Sequence, residues 1–160
     1  AHGILPVQKD IENDISEIVH QININAISTV SIMTSVSKRL INKKSGTIAV
    51  ISSVAGDRGR ASNYIYGSTK AMVSTFASGL RQRLHKNNIS VVTIKPGFVD
   101  TPMTKNYKKN FLWSKSSFVA YKIVKAIENK KDEVYIPAYW GLIMFIIKFL
   151  PNFLFKKIKL

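Results

Sequence analysis

Two short apolar runs, TIAVI at 47–51 and SVVTIK at 90–95, constrain this chain more than anything else in it. Both are rich in β-branched residues and bounded by turn formers. Gly46 and the serines at 52 and 53 enclose the first, Asn87–Asn88 and Pro96–Gly97 the second. Runs of this kind read as strands buried on both faces. Between them, Ala71, Val73, Phe76, Ala77, Leu80 and Leu84 recur at helical spacing. A strand, a long helix and a second strand imply a crossover, and with it a parallel sheet. The pattern continues on either side. Apolar residues from Ile15 to about Leu40 keep one helical face, closed by Lys43, Lys44 and a capping Gly46. A helix is expected at 117–130 and a last strand, EVYIP, at 133–137. The fold class is α/β.

With 160 residues, 46% of them hydrophobic, one globular domain with a substantial core is expected. The chain has no cysteine, which removes disulfides and thiolate metal sites, and no metal site is expected. No secretory leader pattern opens it, so a cytoplasmic setting is expected. The net charge of +15 admits two readings: attraction to anionic lipid or nucleic acid, or a composition rich in Lys, Ile and Asn. The lysines are scattered and no arginine–aromatic stripe appears, so nucleic acid is the partner least favoured.

Chemistry concentrates in ISSVAGDRGRASNYIYGSTK, residues 51–70. Tyr66 and Lys70 are four residues apart at the start of the expected helix, so phenol and ammonium share a face. A cation there favours phenolate and should lower the tyrosine pKa. Ser53, at the end of the preceding strand, is placed to hold a substrate oxygen against that phenol. Such a set suits proton transfer to a ketone oxygen or from an alcohol.

ISSVAG, YGSTK and KPGFVDTP, in this order and setting, resemble the short-chain dehydrogenase/reductase family. The resemblance implies a Rossmann-like, doubly wound parallel sheet and a nicotinamide cofactor, NADP or NAD, with NADPH favoured. It assigns catalysis to Ser53, Tyr66 and Lys70, choosing Ser53 over Ser52 and Tyr66 over Tyr64. It adds Asn25, with Asn23 as fallback, to hold a water beside the lysine. It places Tyr66, Lys70, Pro96, Gly97, Val99 and Thr101 against the cofactor. AHG at 1–3 resembles a turn that follows the fourth strand of such proteins. The glycine-rich TGxxxGxG turn of the family has no counterpart: Gly56 and Gly59 do not open a helix directly after a strand. The chain therefore resembles a truncated, C-terminal portion, and an inactive or partner-docking product is the alternative to an enzyme.

Residues 104–117 resemble the family's mobile substrate lid. Residues 1–137 read as the partial catalytic domain and 138–160 as a tail, AYWGLIMFIIKFLPNFLFKKIKL. That tail is either a helix covering the core or an anchor at an anionic membrane surface, which would put the protein at the inner membrane face. The AHGILP start, YGSTKAMVSTFASGLRQRL and the YIPAYW…LPNFLF end also resemble reductases of polyprenyl-phosphate-linked sugars, such as decaprenylphosphoryl-pentose 2-keto reductases, which implies a small-molecule or lipid-linked substrate. An uncovered sheet edge would favour a homo-oligomer.

Overall fold

In the computed structural model, which describes residues 2–158, both apolar runs are strands. β1 (Gly46–Ile51) and β2 (Ile89–Pro96) pair in parallel, with Ile48 opposite Val91 and Ile51 opposite Ile94. β5 (Glu133–Ile136) pairs in parallel on the far side of β2, giving the order β1-β2-β5. A separate two-stranded piece joins β3 (Val99–Asp100) to β4 (Ser114–Lys115). It tethers the far end of the segment expected as a lid.

Seven α-helices accompany the strands among the described residues: α1 (Gln8–Ile11), α2 (Ile15–Ile22), α3 (Ser28–Lys43), α4 (Tyr64–Leu84), α5 (Ser116–Glu128), α6 (Tyr139–Phe149) and α7 (Asn152–Phe155). Strand alternation sorts the core into layers. Ile48, Val50, Ile89 and Val91 face α3 and α4, meeting Met33, Val73, Ala77, Leu80 and Leu84. Val92, Ile94 and Ile136 face the other way, toward Val119 and Ala126 of α5. Helices on both faces of a parallel sheet make this a Rossmann-like, doubly wound arrangement, reduced here to three main strands.

Two expectations need correction. The helix expected from Ile15 to Leu40 is not continuous α-helix: Asn23–Ile27 forms a π-turn, where Ser28 N–H reaches back to Asn23 O. Its C-terminus is closed by Lys44 in the left-handed conformation (φ 55°), not by Gly46, which already opens β1. Residues 2–7 form an extended connection leading into α1 without regular secondary structure. Ala1 of that motif, and Lys159 and Leu160 of the tail, lie outside the described residues.

Candidate active site

The site is built at the carboxyl end of β1, where ligands of open α/β sheets bind. After Ile51 the two serines part. Ser52 turns inward: its hydroxyl donates to Lys70 O (3.0 Å) and lies 2.7 Å from Ser74 Oγ, pinning the strand end to α4. Ser53 caps the short turn Val54–Gly56, accepting from Ala55 N–H at 3.1 Å. That turn lies directly on α4, and two glycines permit the approach. A Cβ on Gly56 would come 2.7 Å from the Lys70–Ala71 backbone, and one on Gly67 would come 2.8 Å from Ala55 O. Close packing of loop on helix brings Ser53 to Tyr66.

Tyr66 is half-buried, and its phenol lies within hydrogen-bonding influence of the Ser53 hydroxyl. Burial pushes the phenol up to about 12, while the Ser53 hydrogen bond pulls weakly the other way. The expected lowering by Lys70 is therefore overturned. The ammonium lies 5.5 Å from the ring centroid, and loss of hydration sets the direction of the shift. Lys70 itself is buried, with its pKa lowered by desolvation, and its Nζ has one weak contact, 3.5 Å from Ile51 O. Tyr64 points elsewhere, its hydroxyl 3.4 Å from Glu12 Oε2.

Asn25 sits in the π-turn, fully buried. Its amide is used at both ends: Oδ1 accepts from Ile4 N–H (2.8 Å) and Nδ2 donates to Ile4 O (2.9 Å). The residue thus straps the N-terminal segment beside Lys70. A Cβ on Gly3 would come 2.8 Å from Asn25 Oδ1 and 3.8 Å from Lys70 Nζ. His2 closes the strap, 2.6 Å from Ser28 Oγ. Asn23 supplies the backbone carbonyl that closes the π-turn.

Pro96, Gly97, Val99 and Thr101 occupy the carboxyl end of the neighbouring strand. Pro96 ends β2 opposite Ile136, and Gly97 N–H donates to Ile136 O at 3.0 Å. The Cβ side of Gly97 is filled by the Trp140 indole. Val99 packs in the α5 layer, and Thr101 opens a short turn through reciprocal contacts with Thr104. Ser53, Tyr66, Lys70 and Asn25 therefore form one cluster, and the Pro96–Thr101 turn lines the adjoining strand end.

A nicotinamide ribose fits the first cluster, because the nearly bare Lys70 ammonium has protons to donate. A pyrophosphate finds no matching cradle among the described residues. Gly56 and Gly59 lie in and just after the short turn that follows β1, and α4 begins only at Tyr64.

Sequence reasoning passed over the groups that fasten the serine loop. Asp57 accepts from Lys95 Nζ (2.7 Å) and from the Tyr135 hydroxyl (2.7 Å), and Lys95 also pairs with Glu133 at 2.9 Å. Asp57 and Lys95 are both almost wholly buried. The available signal was a lysine in an apolar strand and an acid alone between Glu17 and Asp100. Arg58 reaches the other way, to the end of α6. It donates to the carbonyls of Ile147 and Leu150 and to Asn152 Oδ1, and its guanidinium stacks 3.8 Å from the Phe155 centroid.

The chain resembles known proteins in sequence and in fold. The family model for short chain dehydrogenases matches residues 2–111. An uncharacterised oxidoreductase of Mycobacterium tuberculosis is 35% identical over 159 residues, covering 98% of this chain and 63% of that protein. Carbonyl reductase family member 4 of Xenopus laevis is 31% identical over 96 residues, 60% of this chain and 41% of its own length. A short chain dehydrogenase from Burkholderia cenocepacia, solved in complex with NADP, superimposes with a TM-score of 0.84 at 22% identity, over 98% of this chain and 65% of its own. The chain thus spans under two thirds of the length of these relatives. With a matching family model over most of its length, and the strand–loop–helix order that carries Ser53, Tyr66 and Lys70, the chain belongs to the short-chain dehydrogenase/reductase family.

Proposed function

We propose that the chain carries the substrate and proton-transfer portion of an NADP- or NAD-dependent oxidoreductase that interconverts a ketone and a secondary alcohol. One observation supports this most: a serine hydroxyl, a protonated phenol and a buried ammonium converge at the carboxyl end of a parallel strand. In reduction, the substrate oxygen accepts from Ser53 and from Tyr66. Charge that develops on that oxygen is quenched by the Tyr66 proton, leaving a phenolate beside Lys70. A phenol held near 12 keeps its proton at neutral pH, the form a general acid requires. Lys70 offsets the phenolate charge and donates to the ribose, and the nicotinamide supplies the hydride when bound. Asn25 serves this relay by position, holding Gly3 and Ile4 beside the ammonium. Pro96, Gly97, Val99 and Thr101 wall the cofactor side.

The printed name of the Xenopus relative, a carbonyl reductase, and the NADP bound to the Burkholderia structure favour ketone reduction with NADPH. The resemblance of these stretches, the YGSTK helix included, to polyprenyl-linked sugar reductases makes a lipid-linked alcohol or ketone the substrate class, and a second copy of the chain is a further partner. Titration with NADPH and NADH, followed by turnover on a carbonyl panel, tests the reading on this chain and on one extended by the residues encoded upstream. Carbonyl turnover that falls by about 100-fold or more in Tyr66→Phe is expected. Turnover unchanged by that substitution would refute the assignment.

A further inference from the structure

The tail packs with one side only. Trp140, Met144 and Ile147 of α6 bury against Val54, the residue after the catalytic-site serine. The opposite side carries Leu142, Phe145, Ile146 and Phe149, exposed at 67%, 61%, 54% and 72%, and α7, which follows directly, exposes Phe153 and Leu154. Ile158 is exposed beyond it. Lys148, Lys156 and Lys157 stand exposed along this apolar surface, and no acidic residue occurs after Glu133. Arg58 fastens the junction of the two helices to the serine loop.

We infer that α6 and α7 form a docking face for an anionic lipid surface, lying in its plane while fastened to the serine loop by Arg58. Three features select this occupant. An apolar aromatic face with only cationic residues along it matches hydrocarbon below and phosphate headgroups beside it. A second copy would bring lysines against lysines, with no carboxylate on the face to offset them. Crossing is excluded for these elements: no helix among the described residues is long and apolar enough to span a membrane. The inference concerns the face alone and stands apart from the catalytic assignment.

The experiment is density-gradient flotation of the full chain with phosphatidylcholine vesicles, and with vesicles in which a third of that lipid is replaced by phosphatidylglycerol. Binding to the anionic vesicles is expected, weakening as salt is raised. Phe145→Glu combined with Phe149→Glu should lower it at least tenfold, as should Lys148→Glu, Lys156→Glu and Lys157→Glu together. The control Lys38→Glu, Arg39→Glu and Lys43→Glu together, on exposed positions of α3 and matched in charge to the lysine triple, should still bind. Circular dichroism and melting curves establish that each variant folds, which the exposed positions favour. Several results would overturn the inference: no flotation, flotation indifferent to phosphatidylglycerol, equal loss in the α3 control, or phenylalanine variants that float unchanged. Sedimentation showing that those same variants merely dissociate a dimer, with no vesicle binding by the parent chain, would assign the face to self-association instead.

Discussion

Tyr66 carries the sharpest residue-scale expectation. Its phenol is raised to about 12 from an ordinary 10, chiefly by burial. Ketone reduction needs the protonated form, so its rate should stay level through the neutral range and decline only as pH nears about 12. Alcohol oxidation needs the phenolate, so its rate should climb about tenfold per pH unit over the same range. A reduction profile that already falls near neutrality would place the titrating acid elsewhere. The stability linkage has the same origin. With the folded value above the unfolded one, the phenol's contribution is complete below about 10 and is lost as pH rises through about 12. Lys70 shows the opposite trade. Burial lowers its pKa, so Lys70→Met should raise the melting temperature while abolishing turnover, a pairing that differential scanning calorimetry and an activity assay can check. Residue types and spacing made Ser53, Tyr66 and Lys70 legible in the sequence. The balance between desolvation and the ammonium was not, because it depends on how deeply the loop and helix bury the phenol.

Secondary structure was largely readable because both strands and the helices around them follow their own periods. The misses are local. Asn23 and Asn25 leave the apolar pattern unbroken on either side, so nothing in it announces a π-turn. The turn becomes evident only when Asn25 is seen holding Ile4, twenty-one residues away. A glycine after a basic last turn points to Gly46 as the helix cap, yet Lys44 takes the left-handed position and the glycine begins the strand. The placement of the serine loop on α4 was likewise invisible, although its two glycines are plain in the sequence. Gly67→Ala isolates that contact. Its methyl would meet a backbone carbonyl, Ala55 O, at 2.8 Å, which no side-chain rotation can relieve. A destabilisation of about 1–3 kcal/mol is expected by chemical denaturation, together with a loss of turnover through Ser53. Unchanged stability would mean that the loop does not press on the helix.

At the scale of the molecule, one loop of the candidate site holds three elements together. Asp57 reaches β2 and β5, and Arg58 reaches the α6–α7 junction, over sequence separations of 38 to 94 residues. Partners so distant leave no periodic trace, which is why this pair escaped the sequence. The two halves of the clamp should fail differently. Asp57→Asn leaves Lys95 buried with Glu133 as its remaining carboxylate, and losing part of a buried ion pair costs about 3 kcal/mol. That should appear as a lower global midpoint in urea. Arg58→Ala should act locally. It removes donors to the last carbonyls of α6 and the stacked guanidinium on Phe155, but leaves Trp140, Met144 and Ile147 in place against Val54. The expectation is faster amide exchange and faster tryptic cleavage between Lys148 and Lys157, with little change in the global midpoint. The same variant should weaken vesicle binding, because a loosened α7 no longer presents Phe153 and Leu154 beside the α6 face. If exchange across residues 148–157 stays as slow as in the parent chain, the junction is held by its apolar contacts alone and the arginine is not its fastener.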